Sequence, residues 1–192
     1  MTKIIHLDLK GGVLDDDILC KVDAIAQQLN CLTCKPYGLA KGVADKLYYG
    51  CSYKSRKVLH NNYCIEADRG VPGTNDVRYP NKEDTHLPMV INMYGQWEKG
   101  KPFRYNSIRP APNDSYVSRR KWFQECLNDI HNIKPTPPKS IAFPYEIGCG
   151  LAGGNWVLYE KMLVEFAERS GIQVYICKWC PFTKNDNELS IV

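Results

Sequence analysis

Four glycines fall within the seven residues from Gly148 to Gly154, and their flanks narrow the folds open to this chain. Before them runs the apolar segment Ser140–Phe143, set between Pro138 and Pro144. After them, Trp156 to Arg169 carries apolar residues at helical spacing, with Gly171 placed to close the helix. A buried strand that turns through glycines into a helix is a unit of α/β architecture. Glycines there give the backbone access to positive φ and let N–H groups converge, while the helix points its positive end at the same place. The segment reads either as an anion cradle or as a tight structural turn. It lacks the Gly-Lys-Ser/Thr of a P-loop, and it is not a Rossmann fingerprint.

The rest of the chain repeats the alternation. Lys3–Leu9 and Val22–Leu29 read as strands, and Leu39, Val43 and Leu47 step by four along a helix over 39–47. Cys51–Leu59 reads as a second short helix, and 60–88 as a polar loop with one short strand at Tyr63–Ala67. Pro88–Tyr94 has the apolar run of a central strand, and 95–112 is a second long loop. Loops of that length are usually lids or surface insertions. Asn113 or Asp114 should cap the next helix, whose stripe is Phe123, Leu127 and Ile130, and Ile172–Cys177 should be the last strand. These elements predict a three-layer α/β/α sandwich in one domain, about residues 1–180, with a tail over 181–192.

Composition excludes several classes. The chain has 192 residues, 9 cysteines and a net charge of +4, enough to favour an anionic ligand but too diffuse for a sequence-specific nucleic-acid binder. The longest basic run, Arg119-Arg120-Lys121, lies in a helix and reads as a solvated face. No apolar stretch approaches the roughly 18 residues of a membrane span, and the apolar core of the first residues is too short for a signal peptide. These features predict an intracellular protein, cytoplasmic or nuclear, with free thiols and no membrane partner. Cys31/Cys34 and Cys177/Cys180 have zinc-ligand spacing, but the pairs are far apart and Cys177 closes a buried strand. Neither a metal nor a cofactor is expected.

Two further positions carry chemistry. The segment Asn30-Cys31 to Gly38-Leu39-Ala40 also lies between a strand and a helix, so Gly38 opens a second candidate cradle. Asn30 could hydrogen-bond a sugar hydroxyl in both directions, or simply shape the turn. Asp8, near the end of the first strand, is a third candidate or a simple turn aspartate.

Taken together, Asp8, the Asn30–Ala40 loop and Ile147-Gly-Cys-Gly-Leu-Ala-Gly-Gly-Asn-Trp156 resemble the macro-domain family. The resemblance is greatest to its phage and fungal branch of ADP-ribose-1″-phosphate phosphatase-like proteins. It covers most of 3–178 outside the two long loops and implies a mixed central sheet. It also implies that Asp8 accepts from the adenine amino group and that Asn30 holds the distal ribose. Tyr37, Gly38, Leu39 and Ala40 would face Gly148, Cys149, Gly150, Leu151, Ala152 and Gly153 across the diphosphate. At Gly150 a phosphate packed against the backbone would leave no room for a Cβ. The activity implied is hydrolysis of ADP-ribose 1″-phosphate to ADP-ribose and phosphate, with Asn30 orienting a water. The alternatives are a non-catalytic ADP-ribose reader and a mono-ADP-ribosyl hydrolase acting on modified macromolecules. Three departures bear on activity: Pro36-Tyr37 replace glycines, Asn155 stands where the phage type often has aspartate, and Met93 and Ala152 replace the lysine and aspartate of the ADP-ribosyl-glutamate hydrolases. No general base is evident in the glycine loops. Cys31 and Cys149 are the loop nucleophile candidates, and His6 reads as a surface residue.

Overall fold

The computed structural model describes residues 4–105 and 107–181. All of the expected tail but its first residue lies outside them. The elements run β1 (Ile4–Leu9), α1 (Asp16–Leu19), β2 (Ala24–Asn30), α2 (Leu39–Lys46), β3 (Val58–His60), β4 (Tyr63–Cys64), β5 (Asn75–Arg78), β6 (Met89–Gln96), α3 (Tyr116–Asp129), β7 (Ser140–Pro144), α4 (Trp156–Ser170) and β8 (Gln173–Trp179). Six strands form one sheet in the order β1-β8-β7-β2-β6-β5. Its pairs are parallel except β5 with β6, so the sheet is mixed. β3 and β4 form a separate antiparallel pair.

Strand alternation sorts the core into two layers. Ala24, Ala26, Ile91, Met93, Ile141, Phe143, Val174 and Ile176 pack under α3 and α4 against Phe123, Leu127, Leu163 and Phe166. Ile25, Val90, Ala142 and Cys177 face the other way, against Ile18 and Leu19 of α1 and Val43 of α2. The sheet is thus covered on both faces, as near-continuous apolar strands require. α4 ends where Gly171 takes φ 73°, its N–H bonded to the Ala167 carbonyl.

The chain order places the opening. β2 leads into α2 on one face, and its neighbour β7 leads into α4 on the other. Adjacent parallel strands whose connections leave to opposite faces create a crevice at their carboxyl ends. β2 and β7 keep register at Ala24–Ile141 and Ile25–Ala142, and beyond those pairs the residues of both strands line a cleft.

Three expectations need correction. No helix spans Cys51–Leu59; single 3-10 turns at Tyr48–Gly50 and Tyr53–Ser55 lead into β3. The reason is tertiary: Tyr53 and Arg56 turn inward to hydrogen-bond the end of β2, and the backbone follows them. The 60–88 loop also contains β5, an edge strand whose sequence Asn-Asp-Val-Arg carries one apolar residue and hence no strand signature. α3 is capped by Ser115, whose Oγ accepts from the Ser118 N–H at 3.0 Å, because Asp114 is engaged elsewhere.

Asp114 is held by Arg119, so the solvated-face reading of the basic run fails at Arg119, while Lys121 is exposed as expected. Arg119 is only 2% exposed. Its Nε and Nη2 each donate to a different Asp114 carboxylate oxygen, both at 2.6 Å. Nη1 donates to the carbonyls of Gly100 at 2.6 Å and Ala152 at 3.3 Å, and Nη2 also reaches the Glu98 carbonyl at 3.1 Å. One guanidinium therefore fastens α3, the loop at 97–115 and the glycine loop together. Removing one partner of a buried ion pair leaves the other charge and its acceptors uncompensated, at a cost of about 3–5 kcal/mol. Arg119→Met should lower the unfolding free energy by about that amount in urea titrations, with early proteolytic cleavage between 98 and 112. A change below about 1 kcal/mol would show that the clamp is dispensable.

Candidate functional site

The cleft above β2 and β7 has a volume of about 500 Å³, within the range of small-molecule sites. Gln27, Gln28 and Gln96 form its floor, with Gly38–Ala40 on one wall and Gly148, Gly150, Leu151 and Ala152 on the other. Lys99, Gly100, Arg104 and Tyr105, from the long 95–112 loop, close a third side.

Both walls present backbone donors. α2 begins at Gly38, whose φ of 55° no ordinary side chain adopts readily, and no side chain caps that end. Its first N–H groups are left for whatever lies in front of the helix, where the macrodipole favours negative charge. Opposite, the glycine loop is held by Cys149 N–H to the Glu146 carbonyl (2.9 Å), Gly153 N–H to Gly150 (3.0 Å) and Gly154 N–H to Gly148 (3.0 Å). Among the described residues, nothing accepts from the N–H groups of Gly150, Leu151 and Ala152. Two sets of N–H groups without acceptors, on residues that line one cleft, are the donor chemistry an anion needs.

The floor is polar and incompletely paired. Gln27, 2% exposed, donates from Nε2 to Asn92 Oδ1 at 2.7 Å. Gln28 Nε2 donates to Gln96 Oε1 at 3.0 Å, and Gln96 donates onward to the Glu98 carbonyl. The Oε1 atoms of Gln27 and Gln28 are buried without a partner among the described residues. Two acceptors of this kind suit hydroxyl or amino donors of a ligand.

The structure distributes the expected site residues unevenly. Tyr37, Gly38, Leu39, Ala40, Gly148, Gly150, Leu151, Ala152 and Asn30 line the cleft together, whereas Cys149 and Gly153 sit in the loop without lining it. Asn30 is 7% exposed and its amide is committed to the turn. Nδ2 donates to Thr33 Oγ1 (2.9 Å) and Tyr53 OH (3.0 Å), and Oδ1 accepts from the N–H of Leu32 (3.0 Å) and Thr33 (2.8 Å). No capacity is left to orient a water. Asp8 is exposed on the edge strand, beside Lys178 of β8, whose ammonium lies 5.5 Å from the centre of the Tyr145 ring. Tyr145 lines the cleft and Asp8 does not.

At Gly150 itself a Cβ would meet no protein atom within 4 Å. The tight positions are its neighbours. A Cβ on Gly148, at φ 72°, would lie 2.5 Å from Gln28 Oε1 and 2.9 Å from Tyr159 Cε1, and one on Gly154 would lie 2.6 Å from the Gly148 carbonyl. Asn155 occupies the N-cap of α4 but makes no capping hydrogen bond with its side chain.

Nucleophile chemistry is disfavoured at the thiols. Burial, with a smaller contribution from Glu146, pushes Cys149 up to about 11, and burial also raises Cys31 strongly. Both stay protonated and poorly nucleophilic near neutral pH. His6 lies on the surface, 3.5 Å from Glu160. Among the described residues no three His, Cys, Asp or Glu side chains are grouped to hold a metal ion.

One acid was missed. Glu146 lines the cleft immediately before the glycine loop, with φ at 59°, a conformation uncommon for any residue but glycine. Such backbone outliers gather at functional sites. An acidic residue two places before the first glycine was the available signal.

No family profile matches the chain, and no curated protein matches it. Solved structures do. The macrodomain of Thermus aquaticus DarG aligns with 91% of this chain and 98% of its own length, at 18% identity and a TM-score of 0.58. The macrodomain of Mycobacterium tuberculosis DarG aligns with 94% of this chain and 100% of its own, at 18% identity and 0.57. The fold is that of a macrodomain. A Bacteroides thetaiotaomicron protein of unknown function follows a similar path, at 21% identity over 92% of this chain and 98% of its own, with a TM-score of 0.56. At these identities the likeness is one of backbone course, and the residues of the macrodomain cleft have to be judged on their own chemistry.

The glycine loop allows a paired test. Gly148→Ala should cost roughly 1–2 kcal/mol from its left-handed backbone alone, plus displacement of Gln28, whereas Gly150→Ala should be within about 0.5 kcal/mol of the parent. Equal denaturant midpoints for the two variants would contradict this assignment of strain.

Proposed function

We propose that the cleft binds ADP-ribose or a close derivative, with the diphosphate held between the start of α2 and the glycine loop. The observation that carries this reading is the pair of open N–H sets, at Gly38–Ala40 and at Gly150–Ala152, on opposite walls of one cleft. A diphosphate presents charge and acceptors to both sides at once. The unpaired Gln27 and Gln28 oxygens suit ribose hydroxyls. The adenine would lie toward Tyr145, an arrangement that lets Asp8 accept from its amino group at the cleft's outer edge.

For chemistry, we propose hydrolysis of ADP-ribose 1″-phosphate to ADP-ribose and phosphate, as the phosphatase-like branch performs. Water attacks phosphorus, the bond from phosphorus to the ribose oxygen breaks, and that oxygen leaves as the sugar hydroxyl. Since Asn30 is spent on its own turn, Glu146 is the side chain suited to orient the water and take its proton, and the leaving oxygen takes its proton from solvent. Open backbone donors stabilise charge on the phosphoryl oxygens. A second reading is binding without turnover, as a reader of ADP-ribose on macromolecules. It is favoured by the scarcity of acid–base groups, Glu146 being the one carboxylate among the described residues lining the cleft. A lysine–aspartate mono-ADP-ribosyl hydrolase is disfavoured, because Met93 is packed in the core and Ala152 has no carboxylate.

Calorimetry should show 1:1 binding of ADP-ribose and far weaker binding of AMP, and released phosphate should appear with ADP-ribose 1″-phosphate. Glu146→Gln should cut phosphate release by on the order of 100-fold while ADP-ribose affinity stays within about threefold. Gly150→Glu should fold normally and bind at least about 100-fold more weakly, because it puts a carboxylate against the diphosphate. Absence of ADP-ribose binding at roughly millimolar ligand would overturn the whole reading. Binding without phosphate release would leave the reader function.

A further inference from the structure

A second concavity, of about 340 Å³, lies behind the turn that follows β2 and contributes nothing to the cleft. It is bordered by Arg56, Arg69 and Arg78, together with Ser52, Ser55, Asp68, Asp76 and Tyr94. Arg56 lines this concavity and is bonded to the turn that borders the cleft. Its Nη1 donates to the carbonyls of Asn30 (3.2 Å) and Thr33 (2.7 Å), which fixes the cleft-side turn, and its guanidinium lies 5.0 Å and 5.3 Å from the rings of Tyr53 and Tyr94. The side chain is 8% exposed, yet Nη2 has no hydrogen-bond partner among the described residues, and neither has the buried Nε of Arg69.

The acids present do not answer those donors. Asp76 accepts from Arg78 Nε at 2.8 Å and from the Ser52 hydroxyl, and Asp68 accepts the Lys57 N–H at 2.6 Å. Among the described residues Arg69 has one ion pair, from Nη1 to Glu66 at a loose 3.7 Å. With Glu66 counted, three guanidinium groups face three carboxylates, yet two buried N–H directions, Arg56 Nη2 and Arg69 Nε, remain unspent among the described residues. A buried donor on a charged group costs considerable free energy if nothing accepts from it.

We propose that this concavity is a second anion site, separate from the cleft, which takes a phosphoryl group. Arg56 Nη2 and Arg69 Nε would donate to its oxygens, with Arg78 and the Ser55 hydroxyl at its rim. A tetrahedral oxyanion with several acceptors matches donors arriving from three side chains better than a carboxylate, which offers two oxygens. The site depends on Arg56, Arg69 and Arg78 and not on what the cleft binds.

The test is to follow arginine Nε–Hε resonances of the full chain by NMR while adding inorganic phosphate, pyrophosphate or acetate at low salt. Arg56 and Arg69 should shift saturably with phosphate or pyrophosphate, and much less with acetate. A stronger response to pyrophosphate would point to a diphosphate-bearing ligand, and a stronger response to phosphate to a single phosphoryl group; either supports the site. Arg78→Gln, at a partly exposed position, should weaken the phosphate response about tenfold and leave ADP-ribose calorimetry in the cleft unchanged. Three results would each overturn the proposal: unmoved Arg69 with responding cleft amides, an equal response to acetate, or an unaltered response in Arg78→Gln.

Discussion

Arg119 and its carboxylate partner Asp114 hold the cleft half of this macrodomain-like fold in shape. The guanidinium is inside the protein, where an unpaired charge would be intolerable, so its donors need acceptors. It finds them in Asp114 and in the carbonyls of Glu98, Gly100 and Ala152. The long 95–112 loop and the glycine loop, remote in sequence, thereby become walls of one cleft. Without this tie the two segments would be held by separate apolar anchors, Trp97 and Ile108 in one and Ile147 in the other, with nothing to fix one against the other.

A second buried arginine repeats the logic across the cleft. Arg56 collects the carbonyls of Asn30 and Thr33, while Asn30 collects the N–H groups of Leu32 and Thr33. In both loops carbonyl oxygens are drawn to a guanidinium behind the wall, and N–H groups at Gly38–Ala40 and Gly150–Ala152 are left open. A site that binds anions through backbone needs this asymmetry, because an inward carbonyl would repel the ligand that the neighbouring N–H attracts. Site geometry and structural stability are thus two results of the same buried cations.

Much of this was legible in the sequence, and what was missed has a common physical cause. Periodicity identified β2, α2, β6, α3, β7 and α4 because each buries an apolar face, and the glycine run marked one wall of the cleft because glycine has few other reasons to cluster. The polar elements were opaque. Arg119 looked like a solvated residue in a basic run, since burial of a charge depends on partners 5 to 33 positions away. Gln27 and Gln28 sat unnoticed inside a strand, and β5 has no strand signature. The segment around Tyr53 and Arg56 was read as helix because its inward pull comes from the turn after β2. Asn30 lines the cleft, but the hydrogen bonds of its amide go to the turn.

The most direct measurement is the amide spectrum of the protein titrated with ADP-ribose. The N–H groups of Gly38–Ala40 and of Gly150–Ala152 should move together, with one shared dissociation constant, as a diphosphate bridges both walls. Saturable shifts confined to one wall, or to residues outside the cleft, would contradict the account.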